Sequence, residues 1–447
     1  MITAVAGEFY RRRDIANLYR REMALPNSTK RGRRILAAGA RTLGRGILRT
    51  VTRSDAGAHW ARVGGDWYET LGELKGAAMK LGQLASQYHD VLPPELSKQL
   101  ARLQADAAPL PWERIREVLD GQWSAHQWQL IAEIEHAPLA SASIGQVHVA
   151  TLRDGRKVAV KVRYPGVAAA MDADINNLGR MLRMAGILPF DGASLKAVLE
   201  EVRERMAEEM DYQREREHLE IFAGLPNRDG IIVPDVVTEL CSPSVVVTEF
   251  VSGSGIEVAQ RWPQAVRDRI GERYVDWMVA QIFDHGIVHA DPHPGNYSFR
   301  KDGSIVVFDF GCVKRVNGKD QRLIAEQVRA VVERNMAALH QSLGEMGSLA
   351  KPGRQPSAGL ERAYTESTEF LHERMIVEPP FDFADPSFIT DARAIARRAL
   401  PVWGQFKPVP DLAFVARSLS GGYWLLRRLE AQVDLRERIV EIAKRRH

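Results

Sequence analysis

The chain has 447 residues, 45% of them hydrophobic and 26% charged, with a formal net charge of +4. That length exceeds one simple core and suggests two or three domains, and the composition is ordinary for a soluble globular protein. Only two cysteines are present, Cys241 and Cys312; they exclude a disulfide framework and a cysteine-based zinc site and suggest a reducing, cytoplasmic compartment.

Charge is unevenly spread. Residues 1–53 carry 13 Lys/Arg against Glu8, Asp14 and Glu22, a net of +10, so the remainder sums to −6. Such an arm is an electrostatic footprint for something anionic, phospholipid or nucleic acid. Arg41, Arg45 and Arg49 would share one helix face and Leu36, Leu43, Ile47 and Val51 another, the pattern of an interfacial helix. Gly39, Gly44 and Gly46 weaken that helix, and a solvated basic arm is the competing reading. No aromatic residues interleave with Arg41, Arg45 and Arg49, so no nucleic-acid partner is expected. No apolar run approaches the roughly 18 to 20 residues of a membrane span, and no secretory apolar segment opens the sequence. Peripheral association with an anionic membrane surface is therefore expected, without a transmembrane helix.

From Trp60 the apolar positions Val63, Trp67, Leu71, Leu74, Ala78, Leu81, Ala85 and Tyr88 follow in steps of three and four, which predicts a long amphipathic helix. Pro93 and Pro94 stop it. After "APLPW" (108–112) helical pattern continues to about Leu130. From Ile131 the texture changes to short β-branched runs, "SIGQVHVATL" and "KVAVKVRY", joined at Asp154-Gly155 by a hairpin signal. A long charged helix is predicted from about Leu195 to Phe222. Two more strands follow, "IIVPDVV" and "SVVVTEFV", then a linker, "VSGSG" (251–255). The rest is mainly helical, interrupted by the loop "HADPHPGN" and by "SIVVFDFG", a strand ending in Asp309-Phe310-Gly311.

That loop sets His289, Asp291, His293 and Asn296 among prolines that suit neither helix nor strand. Three readings compete: a histidine–carboxylate metal site, a phosphoryl-transfer loop with Asp291 as base and Asn296 on a metal, and a polar turn satisfying its own backbone. The rest of the chain decides. "VAVK" puts Lys161 inside a strand, costly unless paired, and the following helix offers Glu200, Glu201, Glu204, Glu208, Glu209 and Asp211 as possible partners. Asp291 and Asn296 have the spacing of the kinase catalytic loop, and Asp309 is a second metal-binding carboxylate at a strand end. A metal-hydrolase reading explains the histidines but not Lys161, the helix acids or Asp309.

With "KLGQ" (80–83), "LASASIGQVH" (139–148) and "EMDY" (209–212) added, the sequence resembles the UbiB/AarF atypical kinase-like proteins, a family linked to coenzyme Q biosynthesis. The resemblance covers about residues 55–447. It implies an α+β, two-lobed protein-kinase-like fold with a helical N-terminal K-x-G-Q extension and a mainly helical C-lobe. The expected divisions are a basic arm (1–53), the extension (54–130), an N-lobe (131–253) and a C-lobe (254–447). It also implies ATP and magnesium as cofactors. The expected catalytic residues are Asp291, Lys161 and Asn296. Asn296 and Asp309 are expected to hold the metal. Nucleotide contacts are expected from Ala140, Ser141, Ala142, Ser143, Lys161, Glu209, Asp211, Glu249, Val251, Lys80 and Gln83. The implied function is an ATPase supporting isoprenoid-quinone lipid biosynthesis, with isoprenoid lipid and lipid-modifying enzymes as partners. The alternative is a nucleotide-binding scaffold that recruits such enzymes without phosphorylating proteins.

Departures from ordinary kinases bear on the acceptor. The stretch Ala140-Ser141-Ala142-Ser143 stands where kinases keep a Gly-rich loop, and methyl groups limit backbone approach to phosphate. Ala290 replaces the usual catalytic-loop arginine, and no Ala-Pro-Glu motif follows Asp309. The resemblance implies that the K-x-G-Q extension covers the place where a protein substrate would dock.

Overall fold

A computed structural model describes residues 109–445, apart from 142–143, 168–170, 174, 177–178, 180–198, 201–202, 204–205, 227–228, 408 and 410–411. The basic arm, the "KLGQ" stretch with Lys80 and Gln83, expected to be helical, and Ala142 and Ser143 lie outside the described residues. In chain order the first elements are α1 (Trp112–Gln122), α2 (Ala125–Leu130), β1 (Ile131–Ile134), β2 (Ala140–Ser141), β3 (Gly145–Leu152), β4 (Lys157–Arg163), α3 (Tyr212–Gly224), β5 (Ile231–Ile232) and β6 (Val245–Glu249). The chain divides into two compact units. One holds the described residues up to Arg216 and Val236–Phe250; the other holds Glu217–Asp235 and the chain from Val251 on.

The first unit is built on an antiparallel sheet ordered β1-β3-β4-β6, with β2 also paired to β3. Alternation along β4 explains its place: Val158, Val160 and Val162 are buried, while Lys157, Ala159, Lys161 and Arg163 point to the other face. Ile115 and Leu119 of α1 and Trp123 just after it cover the valine face. The buried indole N–H of Trp123 donates to the carbonyl of Leu240 at 2.8 Å. A capping box of Ser124 and Gln127 starts α2. The β3–β4 hairpin turns at Gly155, whose φ of 88° is one that side chains with a Cβ avoid.

Two polar residues of "SIGQVH" have a structural task. Gln146 is fully buried; its Oε1 accepts from the Leu110 N–H at 2.9 Å and its Nε2 donates to the Leu110 carbonyl. His148 Nδ1 lies 2.8 Å from the carbonyl of Glu135 and its Nε2 lies 2.9 Å from Gln146 Nε2. A carbonyl only accepts, so Nδ1 carries the proton and Nε2 accepts from the Gln146 amide. The chain entering α1 is thereby pinned to β3.

The predicted helix from Leu195 to Phe222 is not continuous. Asp211 interrupts it, and α3 begins at Tyr212. Asp211 Oδ1 accepts from the Arg214 N–H at 3.0 Å, as an N-cap does, and the Met210 carbonyl is taken by Arg163 Nη1. The segment "IIVPDVV" is not one strand either. Ile231 and Ile232 pair in parallel with Ile305 and Val306 in the second unit, and beyond Pro234 the chain returns to the first sheet, where Val236 bridges Thr248.

The second unit continues with α4 (Ile256–Ala259), α5 (Gln264–Ala280), a π-helical turn (Gln281–His285), β7 (Ile287–His289), β8 (Tyr297–Phe299), β9 (Ile305–Val307) and β10 (Val313–Arg315). Then come α6 (Gly318–Val332), α7 (Met336–Glu345), α8 (Ala358–His372), β11 (Phe381–Asp382), α9 (Pro386–Ala399), α10 (Ala413–Leu429), β12 (Gln432–Val433) and α11 (Arg436–Lys444). Strands β5, β9 and β8 form one small sheet, and β7 pairs with β10. Behind them Ile282, Phe283, Val288, Leu323 and Val415 share a core.

Gly145 carries the tightest demand in the first unit. A Cβ there would meet the Val162 carbonyl and lie 2.6 Å from the hydroxyl of Tyr212. Gly145→Ala should therefore cost about 1–3 kcal/mol by overpacking. This would appear as a lowered thermal midpoint; an unchanged midpoint would show that Tyr212 has room to withdraw.

Candidate functional site

In the first unit the chemistry gathers on the polar face of β4. Lys161 Nζ lies 2.6 Å from Glu215 Oε1, with side-chain exposures of 16% and 2%. Glu215 sits one turn into α3. The six acids offered from sequence as possible partners did not include it. The helix restarts at Asp211, and this carries Glu215 beneath the strand. Tyr212, one turn before Glu215 and 1% exposed, places its ring 5.2 Å from Lys161 Nζ, and its hydroxyl comes against Gly145. "EMDY" thus meets the ammonium of "VAVK" through Tyr212, whose hydroxyl fits against Gly145 of "SIGQVH". Removing one partner of such a buried pair typically costs 3–5 kcal/mol, because it strands the other charge.

The remaining residues of this set are placed as follows. Ala140 and Ser141 pair with Val147 and Gln146 as the short edge strand β2. Glu209 is half-buried in the turn before the break, and Asp211 is exposed, one of its oxygens engaged in capping α3. Glu249 is the exposed last residue of β6, and Val251 is half-buried where the chain re-enters the second unit.

In the second unit "HADPHPGN" folds as a loop between β7 and β8. A 3₁₀ turn over Pro294–Asn296 brings Asn296 back onto Asp291: its Nδ2 donates to the Asp291 carbonyl at 3.0 Å and to Oδ2 at 3.1 Å. The spacing of five residues therefore closes a direct contact. His293 Nδ1 accepts from the Gly295 N–H at 3.1 Å, which stiffens the same turn. The Phe308 N–H donates to the Asn296 carbonyl at 3.0 Å, tying the loop to the chain just before Asp309. Asp309 Oδ1 accepts from the Gly311 N–H at 3.0 Å.

His289 joins these pieces. Its N–H donates to Gln281 Oε1 at 2.7 Å, its Nε2 lies 2.6 Å from the Asp309 carbonyl, and its Nδ1 lies 3.2 Å from the Tyr297 hydroxyl. The carbonyl accepts only, so Nε2 holds the proton and Nδ1 accepts from Tyr297. Burial lowers the pKa of His289 below the ordinary 6.5, against the carbonyl of Asp309 and the charges of Asp291 and Asp309, which raise it. Burial also pushes Tyr297 well above its usual value, and Tyr274 and the same two carboxylates push it further. A neutral imidazole and a protonated phenol therefore stand behind two acidic residues.

Because folding lowers this pKa, the unfolded chain takes up the proton first as pH falls below about 6.5. The stability contributed by neutral His289 should be present above that pH and lost below it. Thermal midpoints measured between pH 7.5 and 5 should fall, and the fall should be shallower in His289→Asn. Equal slopes in the two proteins would remove His289 from this role.

A family model described as the ABC1 atypical kinase-like domain matches residues 102–343. The chain is 30% identical over 412 residues to the Caenorhabditis elegans protein named atypical kinase coq-8, mitochondrial, covering 90% of this chain and 53% of that one. It is 30% identical over 380 residues to the Schizosaccharomyces pombe atypical kinase COQ8, mitochondrial, covering 82% and 60%. The chain thus spans between about half and three fifths of the length of these relatives. Among solved structures it is similar to Rv3197 of Mycobacterium tuberculosis, determined with erythromycin: TM-score 0.58 and 29% identity, covering 86% of this chain and 97% of that one. The sheet unit bearing Lys161 and the mainly helical unit bearing Asp291 and Asp309 are the two lobes of a protein-kinase-like fold, and the chain belongs to the ABC1 atypical kinase-like family.

Proposed function

We propose that the protein is an atypical kinase-like ATPase that binds ATP with magnesium. It works peripherally at an anionic membrane surface and supports synthesis or handling of isoprenoid-quinone lipids of the ubiquinone type. The observation that carries the phosphoryl-transfer reading is the contact of Asn296 with Asp291 in a loop tied to Asp309. The lipid role rests on the family resemblance and on the basic residues 1–53. No described helix is long and apolar enough to cross a membrane.

The donor chemistry fits magnesium. With Asn296 Nδ2 turned to Asp291, its Oδ1 is the oxygen that would meet a metal, and Asp309 adds a carboxylate; hard oxygen donors of this kind suit that ion. Magnesium, when bound, neutralises charge developing on the phosphate oxygens. Asp291 would accept the proton of the attacking water or hydroxyl. The amide of Asn296 holds its carboxylate in one orientation. Lys161, kept extended by Glu215, would donate to phosphate oxygens. Glu209, Asp211, Glu249, Val251, Ala140 to Ser143, and Lys80 and Gln83 of the extension (54–130) complete the proposed nucleotide contacts.

A peptide acceptor is disfavoured by the chain after Asp309. From Gly311 it runs directly into β10, and Asn317 caps α6. No long segment intervenes that could form a peptide platform or carry a regulatory phosphate.

Hydrolysis of ATP by the purified protein, with and without anionic liposomes, tests the proposal beside a generic peptide-kinase assay. Magnesium-dependent hydrolysis should rise with the liposomes and fall about 10²- to 10⁴-fold in Asp291→Asn, the usual worth of a positioned base. Peptides should stay unlabelled. Nucleotide binding without turnover that depends on Asp291 would establish the scaffold reading instead, and robust peptide phosphorylation would return the chain to the ordinary kinases.

A further inference from the structure

Ala290 occupies the position where an ordinary kinase has arginine, immediately before the catalytic aspartate. In those enzymes the arginine commonly meets a phosphate on the activation loop, which makes the order of the site switchable. Here the vacated space is served from elsewhere in the chain. Arg417, on α10, donates from Nε to the Ala290 carbonyl at 2.9 Å and from Nη2 to Cys312 Sγ at 3.2 Å. Its guanidinium thus spans the residue before Asp291 and the residue after Asp309-Phe310-Gly311. The two strands it bridges are already joined, since the Ala290 N–H donates to the Cys312 carbonyl at 2.8 Å.

The same helix grips the loop at two more points. The hydroxyl of Ser418 lies 3.2 Å from the His289 carbonyl and shares its single proton between that carbonyl and the Phe414 carbonyl at 2.9 Å. Gly421 packs so closely on Pro292 that a Cβ there would overlap the ring, lying 2.9 Å from its Cβ and nearer still to Cγ. Carbonyls of two consecutive loop residues, His289 and Ala290, and the proline after Asp291 are therefore held from one helix more than a hundred residues away in sequence.

We propose that Arg417 is a positioning residue that replaces the missing catalytic-loop arginine by a fixed internal bridge. It holds Asp291 and Asp309 in register without any phosphate on the loop. A planar, permanently charged fork with several donors suits this task, and a lysine ammonium cannot reproduce its two directed contacts. The inference rests on the proposed phosphoryl-transfer role of Asp291, but the bridge itself can be observed without turnover.

The test uses the full-length chain with Arg417→Lys and Arg417→Ala and two readouts. In steady-state ATP hydrolysis, kcat should fall about 10- to 100-fold in Arg417→Ala, the cost of a misplaced reacting group. Arg417→Lys should fall less, and KM for ATP should stay within about twofold in both. In hydrogen exchange without nucleotide, peptides containing Ala290 and Cys312 should exchange faster in Arg417→Ala, while the strands of the first unit stay as protected as in the parent. Unchanged kcat together with unchanged exchange would overturn the inference, as would faster exchange throughout the second unit with kcat and KM moving together, which marks general loosening. If the parent itself shows no turnover that depends on Asp291, the functional reading fails; the exchange readout then still decides whether the bridge holds the loop.

Discussion

A single uncharged histidine constrains the geometry of the second unit, which bears Asp291 and Asp309. His289 ends β7, and its three nitrogens are all committed: N–H to Gln281, Nε2–H to the Asp309 carbonyl and Nδ1 to Tyr297, while its carbonyl shares the Ser418 hydroxyl with Phe414. Each partner belongs to a different part of the unit. Gln281 opens the π-helical turn after α5, Tyr297 begins β8, Asp309 follows β9 and Ser418 lies on α10. Trp277 and Phe310 pack their rings around the imidazole. A charged imidazole would have to donate from both nitrogens, and Nδ1 could no longer accept from Tyr297. The lowered pKa keeps the network in one state, and Asp291 and Asp309 inherit their places from it.

The sheet unit solves a different problem. Strand alternation that buries Val158, Val160 and Val162 necessarily puts Lys161 on the opposite face, where it is largely withdrawn from water. Such a lysine persists only with a close anionic partner. Glu215 supplies it because Asp211 restarts the helix, Arg163 takes the carbonyl left at the break, and Tyr212 packs where Gly145 leaves space. Local capping chemistry thereby determines which acid meets the lysine.

Much of this was legible in the sequence because it is local. The Asp154-Gly155 hairpin, the β-branched strands, the loop with Asp291 and Asn296 and the strand running into Asp309 all depend on residues within a few positions of each other. The partner of Lys161 was not legible. It lies 54 residues away, and a run rich in Glu offers no local signal for which member turns inward. The cap of Arg214 by Asp211 was a recognisable sign that the helix restarts there, and it would have pointed to the next acid one turn on. The tasks of Gln146 and Arg417 were equally hidden, because their partners Leu110 and Ala290 are fixed only by tertiary packing. The segment "IIVPDVV" reads as one strand by composition, yet its two ends serve different sheets, with Pro234 between them.

The central claim is the proposal that Asp309 holds magnesium on ATP while Asp291 takes the proton of the attacking group. Calorimetric titration of ATP into the parent protein and into Asp309→Asn, each with and without magnesium, addresses the first half directly. The parent should bind ATP much more tightly with magnesium than without it. In Asp309→Asn that gain should vanish, with the thermal midpoint of the free protein essentially kept. An undiminished magnesium dependence in Asp309→Asn would contradict the account.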